Sequence, residues 1–196
     1  TVSPAGGNLK EPVTESTKKA ARCFYALSQN RADSKRYPAI DTLDSYSKYL
    51  EYPEFIDYSK EKLDENWVGL VNEARNILVR GKETEEQINI LGDDSVPIDY
   101  HVTLWKSEFV DFVILQQDAF DKIDATTSLE RQEYMLKKVI NVTRSEFKFE
   151  GFEEVAIYFK RLINVFRQMN YTVFKSEEFH KVEEEANAVL EERIIK

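Results

Sequence analysis

The sequence predicts a mainly α protein: a C-terminal helical bundle preceded by a short α/β piece. Three observations predict it. Apolar residues after Asp57 recur at helical spacing. The few glycines and prolines, six and five, sit mostly in the first half. One aromatic run, "RCFYALS", has the composition of a strand.

The elements follow in order. "TVSPAGGNLKEP" opens the chain with turn formers and reads as the exit from an element upstream; with no initiator Met, we expect a C-terminal piece of a longer protein. "EPVTESTKKAA" predicts a helix with Pro12 in its first turn. "RCFYALS" predicts a strand whose partner sheet lies outside this chain. "RYPAIDTLDSYSKY" (36–49) is neither amphipathic helix nor alternating strand. Pro38 bars helix at Tyr37, and Asp41, Asp44 and Ser45 are turn and cap formers, so an ordered connection is expected. It carries Tyr37, Tyr46 and Tyr49. Two readings stand for these rings: gap filling between elements, or one ring facing a ligand.

Leu63, Trp67, Leu70, Val71, Ala74 and Leu78 predict the next helix, with Gly81 as its stop. Thr84 and Gln87 form a capping-box pattern for a short helix ending at Leu91–Gly92. "GDDSVP" is a tight turn. Val102, Trp105, Phe109, Phe112 and Gln116 share a helix face. Thr127 and Glu130 predict a cap for a helix running to about Phe147. Val155, Tyr158, Phe159, Leu162, Ile163, Phe166 and Met169 form a wide stripe, and Phe179, Val182, Ala186, Val189 and Leu190 the last one. Such stripes are the core of an all-α bundle.

The 196 residues suffice for one domain with a real core. With 42% hydrophobic and 32% charged residues the chain is globular, not disordered. A net charge of −9 argues against nucleic acid and against an anionic membrane surface as partner. No apolar run is long enough to insert into a membrane. The single cysteine, Cys23, allows no internal disulfide, makes the cytosol the expected home, and reads as a small apolar core residue. The N-x-Thr triplets at Asn141 and Asn170 then read as chance.

Chemistry-bearing motifs are few. No G-x-x-x-x-G-K-[ST] loop occurs, and the one Gly-Lys pair, Gly81-Lys82, leads into Glu83. Glu177-x-x-His180 has the spacing of a di-metal helix motif, but such a site needs two. The other histidine, His101, has Ile98 three residues before it, so no metal is expected. Glu177 and Glu178 suit a helix start, and Glu183–Glu185 a wet helix face. Taken alone, these observations describe an interaction module.

Three of the quoted stretches, in order, resemble a known family. "TVSPAGGNLKEPVTEST" is similar to the SPPGG-x-x-x-EPVT passage of the catalytic A (alpha) subunit of V-type and archaeal-type ATP synthases. "RYPAIDTLDSYSKY" resembles the passage that follows it there, usually written with Phe-Pro-Ala-Ile and Ser-Tyr-Ser, and also its counterpart in the F-type β subunit. "ILQQDAFDKIDATTS" resembles F-L-Q-Q-N-A-F-x-x-V-D. The resemblance runs from about Thr1 to Val142; the last fifty residues share only their helical character.

The resemblance implies that 1–50 end a nucleotide-binding α/β domain and 51–196 form the C-terminal bundle. It implies that Tyr37 and Phe120 enclose an adenine ring, with Tyr in place of the usual Phe and Asp118 in place of the usual Asn. Stacking on an aromatic face is worth about 1–3 kcal/mol per base. It places "ILGDDSVP" against the central rotor, with Asp93, Asp94 and Ser95 at the contact. The whole subunit would bind ATP or ADP with Mg²⁺ and alternate with non-catalytic B subunits in a hexamer. It would couple ATP synthesis or hydrolysis to proton or sodium transport, on the cytoplasmic side and peripheral to the membrane. The phosphate loop and catalytic carboxylate would lie upstream, so no catalytic residue is expected here and this piece alone is expected to be inactive. Two alternatives stay open: a nucleotide-binding subunit without hydrolysis, and a helical scaffold without nucleotide chemistry.

Overall fold

The computed structural model describes residues 10–195. The turn-rich opening "TVSPAGGNL" lies outside them. The described chain is mainly helical, with one small sheet.

Helix α1 (Pro12–Ala20) starts on its proline and carries Glu15 in its first turn and Lys18 and Lys19 in its last, each charge matching the helix dipole. Strand β1 (Cys23–Leu27) pairs antiparallel with β2 (Ile40–Ser47), so "RCFYALS" has a partner within its own chain. β2 is the stretch expected to be a connection. Its strand character is hidden by a bulge: Phe24 faces Tyr46 while Ala26 faces Asp41, and the intervening residues loop out of the ladder. Asp41 Oδ1 accepts from Leu43 and Asp44 N–H at 2.9 and 3.0 Å, and Ser45 Oγ accepts from Ala26 N–H at 3.0 Å. The turn formers are thus real, but they sit inside a strand. Cys23, expected in the core, is only half-buried, because this small sheet lies outside the main apolar cluster.

Between the strands lie α2 (Gln29–Asp33), capped by Ser28, and the Tyr37–Pro38 turn. A 3-10 turn (Lys48–Glu51) leads to α3 (Pro53–Lys62), which Leu63 closes. Leu63 therefore does not belong to the next helix.

Helix α4 (Trp67–Leu91) runs straight through Gly81. That glycine is not a stop. It is buried, and a Cβ there would meet Ser107 Cβ and Oγ at 2.1 Å. It permits close crossing with α5 (Ile98–Val110). Thr84, expected as a cap, is buried in the same helix. The true stop is Gly92, at φ 87°, whose N–H donates to Ile88 O at 2.8 Å. α5 passes into a π-helical turn (Asp111–Leu115), and Gln116 lies beyond it in extended geometry, off the expected helix face.

Helix α6 (Leu129–Arg144) is capped by Ser128, which accepts from Arg131 N–H at 3.3 Å, rather than by Thr127. It ends before Phe147, which bridges to Ile194 instead. In α7 (Phe152–Tyr171) all seven stripe residues are buried. In α8 (Glu177–Glu191), capped by Ser176, Phe179, Ala186 and Val189 are buried and Val182 and Leu190 pack against the core. The centre holds Phe109, Phe159, Leu162, Phe166 and Met169, each fully buried and each worth about 1.5–3 kcal/mol.

Candidate functional site

Two segments far apart in sequence meet at the N-terminal flank of the bundle. The first is the turn after α2. Lys35 takes a positive φ of 57°, and the Tyr37–Pro38 peptide is cis. The second is the loop after the π-helical turn. Its shape is set by side chains folded back onto backbone. Asp118 Oδ1 accepts from Phe120 N–H at 2.9 Å, and Asp121 Oδ1 from Ile123 and Asp124 N–H at 2.8 Å each. Asp124 Oδ2 accepts from Asp118 N–H at 2.6 Å, and Gln117 Nε2 donates to Asp124 O at 2.6 Å. The segments are joined by Gln117 N–H donating to Tyr37 O at 2.9 Å.

Tyr37 and Phe120 line one cavity of about 580 Å³, with Pro38, Phe112, Gln116 and Arg167 among its other walls. Phe120 is 98% exposed and Tyr37 55%. A phenyl ring held in water by an ordered loop forgoes about 1.5–3 kcal/mol that burial would return. Such a ring is available to a flat ligand or to another surface. Asp118 also lines the cavity, but its carboxylate already accepts from Phe120 N–H.

The site's electrostatics are mixed. Buried Asp124 has its carboxyl pushed up, chiefly by burial, against the pull of the Asp118 N–H and Arg131. Arg131, also buried, donates to Met169 O at 2.6 Å, and burial pulls its guanidinium down. Gln116 Nε2 is buried without a partner. Gln116, Gln117, Asp124 and Asn170 also border a second cavity of about 500 Å³, walled by Trp67, Val71 and Met135.

Asp93, Asp94 and Ser95 form a 3-10 turn between α4 and α5 and are all exposed. Ile90 and Leu91, at the end of α4, are exposed beside them. The turn is fastened from below: the His101 ring nitrogen Nε2 lies 3.1 Å from Asp93 O, and the ring stacks on Phe152 at 5.0 Å. The sequence motifs thus fall at two places, a cavity and a tip, separated by the length of α5, about 20 Å at 1.5 Å per residue.

Glu177 and Glu178 lie in the first turn of α8, and His180 faces Glu183 at 3.5 Å. Among the described residues, no group of three or more His, Cys, Asp or Glu is placed to hold a metal ion. Among them, too, no helix is long and apolar enough to cross a membrane.

Sequence reading missed Arg36, Glu108, Asp111 and Arg167. One signal was available: Asp111 is a lone acid within the apolar run "FVDFVIL".

The described residues thus form a helical bundle with an acidic inter-helix turn and, at its flank, a cavity walled in part by aromatic rings. Residues 56–150 match the family described as the C-terminal domain of V and A type ATP synthase. The chain belongs to the family of V-type ATP synthase alpha chains. It is 40% identical over 185 residues to the alpha chain of Borrelia duttonii (strain Ly), covering 93% of this chain and 29% of that one. It is 35% identical over 192 residues to that of Protochlamydia amoebophila (strain UWE25), covering 98% and 32%. With the Treponema denticola alpha chain it shares 36% identity over 184 residues, covering 94% and 29%. The chain therefore spans roughly three-tenths of the length of these relatives. A solved ATP synthase subunit, NeqB of Nanoarcheaum equitans, shares the fold. The TM-score is 0.52 at 20% identity, over 73% of this chain and 33% of that one.

Proposed function

We propose that this chain is the lever end of the catalytic nucleotide-binding subunit of a rotary ATP synthase, which couples ATP synthesis or hydrolysis to proton or sodium transport. In this reading residues 1–50 complete the nucleotide domain and 51–196 form the bundle. Tyr37 and Phe120 hold the adenine of MgATP or MgADP, while phosphate and Mg²⁺ chemistry belongs to upstream residues. Asp93, Asp94 and Ser95 press on the central stalk, and non-catalytic B subunits alternate with this subunit in a hexamer. The subunit works at the cytoplasmic face, peripheral to the membrane, and the piece alone turns over no ATP.

One observation carries this reading. The two aromatic residues that the family resemblance assigns to the base line a common cavity, and the segments that carry them are joined by the Gln117 N–H to Tyr37 O hydrogen bond. A scaffold without nucleotide chemistry gives no reason to hold Phe120 on an ordered loop in water.

The test is nucleotide affinity of the full-length subunit. Tyr37→Ala and Phe120→Ala should each weaken MgADP binding about 5- to 150-fold, the loss of one stacking wall. Tyr37→Phe should leave it within about 2-fold, because the ring face is kept. Unchanged affinity in both alanine variants sinks the adenine assignment and leaves the scaffold reading.

A further inference from the structure

Arg36 adjoins Tyr37 in sequence and is bound to α5. Its Nη1 and Nη2 donate to Glu108 Oε1 and Oε2 at 2.9 and 2.7 Å, and Nη1 also to Asp111 Oδ2 at 3.0 Å. Arg31, from α2, donates to Asp111 Oδ1 at 2.6 Å. Asp111 is 4% exposed, so one buried carboxylate holds two guanidinium groups. The Arg36 guanidinium also lies over the Phe112 ring at 4.8 Å, and Phe112 lines the aromatic cavity. Burial pulls the Arg36 guanidinium down, but Glu108 and then Asp111 outweigh it and hold its pKa up.

A forked guanidinium on a carboxylate fixes orientation as well as distance. The turn bearing Tyr37 is therefore not a free loop. It is fastened to α5 by Arg36 on one side of Tyr37 and to Gln117 by the Tyr37 carbonyl. The same helix begins at the acidic tip, where His101 meets Asp93 O. Its far end departs from α-geometry in a π-helical turn that starts at Asp111, the residue both arginines hold.

We infer that Arg36, Glu108 and Asp111 form a joint through which occupancy of the Tyr37–Phe120 cavity moves the Asp93–Ser95 tip, with α5 as the strut. A ligand seated against the Tyr37 ring bears on the turn that carries it. Tyr37 cannot shift alone, because its neighbour is locked to Glu108, so the displacement passes to α5. These three are positioning residues: they touch no ligand and act through Tyr37. The inference rests on the nucleotide reading of the cavity given above.

The experiment is hydrogen exchange by mass spectrometry on the full-length subunit, with and without saturating MgADP. In the parent protein, MgADP should change exchange at 35–38 and 116–120, and also at 90–100. In Glu108→Gln and Asp111→Asn, MgADP affinity should stay within about 3-fold, small beside the ~5–150-fold range of allosteric coupling, and the cavity segments should still respond. The response at 90–100 should be lost. Arg36→Lys, which keeps the charge without the fork, should retain part of it. Should Asp111→Asn fail to fold, the half-buried Glu108 still carries the test. A tip response that survives Glu108→Gln, or one absent from the parent protein, overturns the joint while leaving the cavity reading intact. If instead Tyr37→Ala leaves MgADP affinity unchanged, the cavity reading itself is at fault and the joint falls with it.

Discussion

At the scale of single residues, the sharpest contrast is between Phe120 and Gly81. The Phe120 side chain is almost wholly exposed. Its truncation to Ala should leave stability within about 0.5 kcal/mol, measured by urea unfolding, whatever it does to ligand affinity. Gly81 is the reverse. An Ala there gains about 1 kcal/mol of helix propensity. It also drives a methyl to 2.1 Å from Ser107, where α4 and α5 cross. Overpacking of this kind costs about 1–3 kcal/mol, so Gly81→Ala should destabilise on balance. Adding Ser107→Gly should recover part of the loss, because it removes both clashing atoms. A stabilised Gly81→Ala would mean that the helices part more easily than this crossing implies. Glycine as a stop and glycine as a crossing point look identical in a sequence. Only the partner helix tells them apart, which is why α4 reads as two helices and folds as one.

At the scale of elements, the later helices were the most legible. α7 and α8 carry wide apolar stripes and serine or glycine starts, and nothing in them competes with the 3.6-residue period. β2 was the least legible, because its bulge breaks the period of two and its Asp41 and Ser45 serve as internal turn formers. Its outward carbonyls are collected by another element: Arg75 of α4 donates to Thr42, Leu43 and Ser45 O at 3.0, 2.8 and 3.2 Å. No local pattern announces that contact.

The α6–α8 seam supports a pH prediction. Glu183 of α8 accepts from Tyr134 Oη and pairs with Lys138 Nζ at 2.7 Å, both on α6. Burial raises the Glu183 carboxyl, but Lys138 and Tyr134 outweigh it and hold it below its usual 4.5. Tyr134 is in turn pushed up to about 12, by burial first and then by Glu183. A carboxyl depressed in the folded state contributes stability that is present above its unfolded value and lost as pH falls through the folded one. The seam should therefore weaken from about pH 4.5 downward. Urea midpoints should fall there, and Glu183→Gln should flatten part of that fall. An identical pH profile in the variant would show that the carboxylate contributes nothing to the seam.

At the scale of the whole molecule, what matters is that tip and cavity are separate in composition and joined by one helix. The tip is acidic, exposed and short, and shares no lining residue with the cavity. The cavity is aromatic and shares none with the tip. Substitutions at the two places should therefore differ in their direct effect on nucleotide affinity. Asp93→Asn, Asp94→Asn and Ser95→Ala together remove two charges and a hydroxyl from an exposed turn that leaves the core untouched. They should leave unfolding midpoints and MgADP affinity of the full-length subunit unchanged within error. In the assembled complex, the same variant should transport fewer ions per ATP hydrolysed, because the proposed push on the central stalk is what it alters. Tyr37→Ala, unlike the tip variant, should raise the nucleotide concentration for half-maximal turnover. An ion yield unmoved by the tip variant would assign the stalk contact to other residues, for which the exposed Ile90 and Leu91 beside the tip are the first to test.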